Sequence, residues 1–154
     1  IGKRGKMAFI QLEDGQDDTD RVEVAVFAEV YEQARSWLKE DELVVVVGTV
    51  KHDTYNDRIS IVADQLLSLD QMRTRYCKKV QLQYTAGLIP PAQLKALLTP
   101  HCSPQGVPVE LKLNTEQACC QIMLGEKYRV LPHEALTETI AQTAFPLHLE
   151  LVYG

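Results

Sequence analysis

Two groups of cations, each interleaved with an aromatic ring, are the residues best suited by type to do chemistry. The first is Lys3-Arg4-Gly5-Lys6 with Phe9 and Gln11 behind it; the second is Lys51, Tyr55 and Arg58 in the run 51–58. Cations neutralise phosphates, and an exposed ring stacks on a nucleobase, worth roughly 1–3 kcal/mol per base. Surface cations on a soluble protein also have a plainer account as solvated charge. The two groups therefore gain meaning only if the fold brings them to one surface. The acidic run holding Asp14, Asp17, Asp18 and Asp20 works against phosphate binding and makes any such affinity weak and salt-sensitive.

No other constellation competes. Cys77, Cys102, Cys119 and Cys120 lack C-x-x-C spacing, and His52, His101, His133 and His148 are scattered. His101-Cys102 and Cys119-Cys120 invite a metal reading. Adjacent cysteines in a strand point to opposite faces, however, so small apolar fillers beside a surface histidine are the simpler account. The pairs Asp17-Asp18 and Asp41-Glu42 fall at turns, as do Asp53 and Asp57, and explain themselves as solvated carboxylates. No serine has a G-x-S-x-G context, and no Gly-rich phosphate loop occurs. The expectation for this stretch is no catalytic residue, no metal and no cofactor.

The chain has 154 residues, 45% hydrophobic and 24% charged, which is the composition of a folded globular protein. Its 16 basic and 21 acidic side chains give a net charge of −5, so a strongly basic nucleic-acid binder is excluded as a description of the whole chain. The longest apolar runs, Val24 to Ala28 and Leu43 to Val47, fall far short of the roughly 20 residues of a membrane span. No membrane partner is expected, and with no disulfide framework in view a reducing cytoplasm is the default compartment. The opening Ile-Gly-Lys-Arg, without methionine, reads as part of a longer protein. Charge is uneven: residues 1–76 hold 10 basic and 15 acidic side chains, residues 77–154 hold 6 and 6. The change falls at Gln71-Met-Arg-Thr-Arg-Tyr-Cys-Lys78. We therefore expect one module over 1–70, a basic linker over 71–78 and a second module over 79–154.

The elements follow from periodicity. Met7 to Glu13 and Arg21 to Phe27 alternate, with Ala8, Ile10, Leu12, Val22, Val24 and Val26 on one face and Phe9, Gln11, Arg21, Glu23 and Ala25 on the other. They predict a hairpin. Val30 to Leu38 has helical spacing, Leu43 to Val50 reads as a strand bent at Gly48, and Ile59 to Leu67 as its partner across the 52–57 turn. Strand, strand, helix, strand, strand is the order of an OB-fold barrel whose first strand is missing or reduced to Ile1–Arg4. In the second module, strands are expected at Val80–Tyr84, Val109–Leu113, Cys120–Leu124, Tyr128–Val130 and Leu147–Tyr153. Helices open at Pro91 and after Pro132, and 101–108 reads as a loop. The fold class is thus mostly β plus α+β: an OB-fold barrel followed by a small βαβββαβ domain.

Several runs resemble the OB domain of the bacterial DNA polymerase III alpha-subunit family. They are Lys3–Asp14, Arg21–Phe27, the helix Glu29–Lys39, Asp41–Gly48 and Arg58–Ala63. Gly125-Glu-Lys-Tyr-Arg-Val-Leu-Pro132 and its following helix resemble that subunit's C-terminal domain. The resemblance implies a DNA-directed DNA polymerase whose catalytic carboxylates lie outside this stretch. It further implies an OB domain on single-stranded template and a C-terminal domain that docks the tau subunit of the clamp loader. On an OB fold, Lys3, Arg4, Lys6, Phe9, Gln11, Lys51, Tyr55 and Arg58 fall in the oligonucleotide groove. The closing strand offers Leu149, Leu151 and Tyr153 as anchors for a clamp-loader subunit or a sliding clamp. Two alternatives stay open. One is a tRNA-anticodon-binding OB domain of an aminoacyl-tRNA synthetase, with Phe9 and Glu23 reading a base. The other is a protein-interaction scaffold whose groove binds no nucleic acid.

Overall fold

In the computed structural model the chain divides into two compact units, residues 1–69 and 70–154. The structure describes residues 7–13, 21–54, 57–84, 90–114 and 118–154. The candidates Lys3, Arg4, Lys6 and Tyr55, and the reduced strand expected at Ile1–Arg4, lie outside the described residues.

Unit 1 holds β1 (Met7–Leu12), β2 (Val22–Phe27), α1 (Ala28–Ala34), β3 (Val44–Asp53) and β4 (Arg58–Ser68). Its sheet has the order β1-β2-β4-β3. β1 pairs antiparallel with β2, β2 parallel with β4, and β4 antiparallel with β3. This is the strand order of an OB barrel without its first strand: among the described residues, β1 and β3 are the free edges. Alternation sends Val24 and Val26 into the core with Ala34, Ala63 and Leu66, against which Ile10, Trp37, Val46 and Ile61 pack. The bend expected at Gly48 is present as a register shift between Val47 and Gly48. A Cβ at Gly48 would run into the Val62 carbonyl, so the close approach of β3 to β4 there needs glycine. The helix differs from its expected bounds. It starts at Ala28, directly on the end of β2, and gives way to turns after Ala34.

Unit 2 holds most of α2 (Leu69–Tyr76), then β5 (Cys77–Tyr84), α3 (Pro91–Leu98), β6 (Cys102–Val107), β7 (Val109–Asn114), β8 (Cys119–Met123), α4 (Glu134–Ala141) and β9 (Leu147–Tyr153). Its sheet has the order β8-β7-β5-β9, with β5 and β7 parallel. The helices bury Leu94, Leu98, Leu136 and Ile140 in a core with Val80, Leu82, Val109 and Leu111. The order βαβββαβ is found, but one member differs. The 101–108 stretch, expected as a loop, supplies β6. The turn expected at Gly125-Glu126 is a 3-10 turn over Glu126–Tyr128, but the strand expected over Tyr128–Val130 is not formed: Val130 only bridges to Cys102 and Val107. The basic linker expected over 71–78 is helix through Tyr76, and Cys77 and Lys78 already belong to β5. Asp70 in its first turn and Arg73 and Arg75 in its last complement the helix dipole, a signal that charge counting alone passes over.

Candidate nucleic-acid interface

Strand register decides which side chains of unit 1 share a surface. Across the sheet, Gln11, Glu23, Ser60 and Lys51 form one row, and Phe9, Ala25, Val62 and Thr49 the next. Residues two apart on a strand share a face, so Arg58 lies on the same side, two residues before Ser60. The opposite face carries Val24, Val26 and Ala63, the core. Four of the candidates from the sequence, Phe9, Gln11, Lys51 and Arg58, therefore meet on the outer face of one sheet.

That face is open. Phe9 is 61% exposed and stands diagonally across from Phe27, which is 52% exposed, because Phe27 pairs with Met7 and Phe9 with Ala25. Diagonal cross-strand neighbours sit about 7–8 Å apart, within reach of aromatic side chains. Phe27 was missed by the sequence reading, although the outward series Arg21, Glu23, Ala25 extends to it. Gln11 and Glu23 form the floor between two clefts. One, of about 1000 Å³, runs from Phe9 to the 38–44 segment and takes Glu40, Asp41 and Glu42 as its rim. The other, of about 640 Å³, is lined by Arg21 and Arg58. Arg21 bonds Glu13 at 2.8 Å. The 40–42 side of the face is thus anionic, whereas the other side sets Arg21, Arg58 and Lys51 beside Glu23 and Asp57; Asp41 and Glu42, expected only as solvated turn carboxylates, become part of a cleft rim. At the β3–β4 turn, His52 Nε2 and Asp57 Oδ1 lie 2.9 Å apart, and Asp57 takes the left-handed φ of 51°. This ties Asp57 to the turn itself.

The partner-binding candidates lie on β9. Leu149 and Leu151 pack against the core of unit 2, and Tyr153 is exposed. Among the described residues no group of three His, Cys, Asp or Glu side chains is placed to hold a metal ion, and no helix is long and apolar enough to cross a membrane.

Comparison with known proteins places both units. The family described as OB-fold nucleic acid binding domain matches residues 1–69, and the family described as DNA polymerase III subunit alpha, C-terminal domain, matches residues 93–142. The chain is 32% identical over 143 residues to a DNA polymerase III subunit alpha of Neisseria meningitidis, covering 88% of the chain and 12% of the relative. Similar relatives are the subunits of Pseudomonas aeruginosa, 29% identical over 90% of the chain and 12% of the relative, and of Escherichia coli, 27% identical over 88% and 12%. The chain spans about 12% of the length of these curated relatives.

Proposed function

We propose, for a chain that belongs to the DNA polymerase III alpha-subunit family through its OB-fold and C-terminal domains, a non-catalytic role within a replicative polymerase. Unit 1 holds single-stranded template, and unit 2 docks the tau subunit of the clamp loader. Nucleotide transfer belongs to residues outside this stretch. The observation that carries the reading is the outer face of the unit 1 sheet, where two exposed rings share one surface with Lys51 and Arg58. Phe9 and Phe27 offer two stacking surfaces for unpaired bases, and Lys51, Arg58 and Arg21 supply the phosphate contacts. Lys3, Arg4, Lys6 and Tyr55 add to the cationic side in the same proposal, and Gln11 offers a hydrogen-bonding amide between the clefts. The Glu40–Glu42 rim repels phosphate, so the phosphates keep to the Arg58 side while a base reaches across to Phe9 at the edge of the acidic cleft. In unit 2, Tyr153 is the exposed anchor for the partner, with Leu149 and Leu151 holding its strand in place.

Fluorescence titration with single-stranded DNA, and with tRNA as the competing ligand, tests the reading of unit 1. Phe9→Ala is expected to weaken DNA binding by roughly 1–3 kcal/mol with little change in salt slope. Lys51→Ala is expected to weaken it for all sequences and to reduce the slope by roughly 1. Tighter binding of tRNA than of single-stranded DNA, or DNA affinity indifferent to both substitutions, would overturn it.

A further inference from the structure

Unit 2 leaves one strand edge undefended. β8 ends the sheet and pairs, among the described residues, with β7 alone, in unbroken register from Glu110↔Met123 to Asn114↔Cys119. Cys119, Cys120, Gln121, Ile122 and Met123 are all exposed. None is charged, none is proline, and no bulge interrupts the pairing. Charge, proline and bulges are the devices that keep a free edge from recruiting another strand. β9, the opposite edge, has two of them: the charged Glu150 in its run, and a register shift between Cys77 and Lys79 on its partner.

The side chains of β8 are as uncovered as its backbone edge. Ile122 pairs with Leu111 and Cys120 with Leu113, so both lie on the face that carries the core. Leu111 is 5% exposed and Ile122 is 41% exposed, so the covered layer stops one strand short of the edge. On the other face, Glu110 is already held by Lys79 and Gln81, whereas Lys112, the register partner of Gln121, makes no ion pair within 4 Å among the described residues and meets the Glu110 charge only at longer range.

We propose that β8 is a strand-addition site that takes an extended segment of a partner protein. Apolar side chains at alternate positions of that segment continue the core layer over Cys120 and Ile122, and an acidic side chain on its other face meets Lys112. Backbone hydrogen bonds supply the affinity and the alternating side chains the selectivity. A second copy of this chain fits less well, because β8 carries no carboxylate to offer Lys112. The proposal rests on the reading that unit 2 docks a partner protein.

The test titrates the clamp-loader tau subunit against the whole chain and against its Ile122→Lys and Lys112→Glu variants, each checked for unchanged far-ultraviolet circular dichroism. Hydrogen exchange of the backbone amides of 119–123 is followed in parallel. The expected result is binding by the unsubstituted chain, a loss of about tenfold in each variant, and slowed exchange in β8 within the complex. Undiminished binding by both variants, or loss without slowed exchange, overturns strand addition while the docking reading stands. No binding by the unsubstituted chain overturns both. A concentration-dependent dimer of the chain alone with protected β8 amides assigns the edge to a second copy and overturns the partner.

Discussion

Glu110 lies on the polar face of the unit 2 sheet and yet is almost wholly buried. Lys79 Nζ donates to its Oε2 at 2.9 Å, and Gln81 Nε2 donates to the same oxygen. These bonds, that from Lys79 foremost, hold the carboxyl below its ordinary range. A carboxylate whose pKa is depressed by folding stabilises the native state above its unfolded value, about 4.3, and loses that contribution as pH falls through the folded value. Glu110→Gln is therefore expected to lower the melting temperature at neutral pH and to flatten its fall in acid; thermal unfolding followed from pH 7 to 3 reads both. A variant whose acid profile superimposes on the parent's would count against the pairing. His101 acts in the same direction at higher pH. Its ring shares a 3.0 Å hydrogen bond with Thr139 Oγ1, and burial pushes its pKa below the ordinary value. Acidification through about pH 6.5 charges the unfolded ring first and so costs stability. Alternation in the sequence placed Glu110 across from Val109 and Leu111, and the structure agrees. It could not tell that the polar face is covered at that point, because periodicity reports a side and not what lies against it.

At the scale of elements, what the sequence left unread has a common cause: segments whose structure is set by a distant partner. β6 contains Pro104 and Gly106, the composition of a loop, and it is extended because Val130, far along the chain, bridges to both its ends. Arg129 Nε donates to the Gly106 carbonyl at 2.9 Å from that same segment. A Cβ at Gly106 would meet the Val130 carbonyl carbon at 2.5 Å, so the two backbones approach as closely as only glycine permits. Gly106→Ala is expected to destabilise unit 2 by about 1–3 kcal/mol, the scale of an overpacked site. Gly125→Ala, with nothing within 4 Å of the added atom, should stay within about 0.5 kcal/mol. Denaturant midpoints of the two variants make the comparison, and equal shifts would remove the argument. By contrast, the β1–β2 hairpin, the Gly48 bend and β9 were legible, because local alternation and turn residues suffice to specify them. The outer-face site was legible to the same extent: Phe9, Gln11 and Arg21 follow from alternation, whereas the 40–42 rim joins only through the cleft geometry.

At the scale of the whole molecule, each unit has its own buried core, and the position of the boundary is an energetic question. Charge counting began the second module at residue 79, after a connector. The structure instead ties that connector to the last helix of unit 2. The N-cap of α4, His133, offers no side-chain cap, and the free N–H of Glu134 donates to Asp70 Oδ1 at 2.9 Å. Thr74 Oγ1 and His133 Nε2 lie 3.0 Å apart, binding the two helices a second time. A carboxylate at a helix N-terminus both satisfies an orphan donor and opposes the positive end of the dipole, and losing such a cap costs about 0.5–2 kcal/mol. Cys77, buried in the core and paired with Tyr153, also falls before residue 79. Residues 70–154 are accordingly expected to fold alone, and Asp70→Ala within them to cost about 1 kcal/mol. Residues 79–154 should be weaker than either, since they lack the cap, the Thr74–His133 bond and the first residues of β5. Urea unfolding of the three chains orders them. A chain from residue 79 as stable as the chain from residue 70 would show that α2 is a connector after all, and that the cap at Asp70 contributes nothing to unit 2.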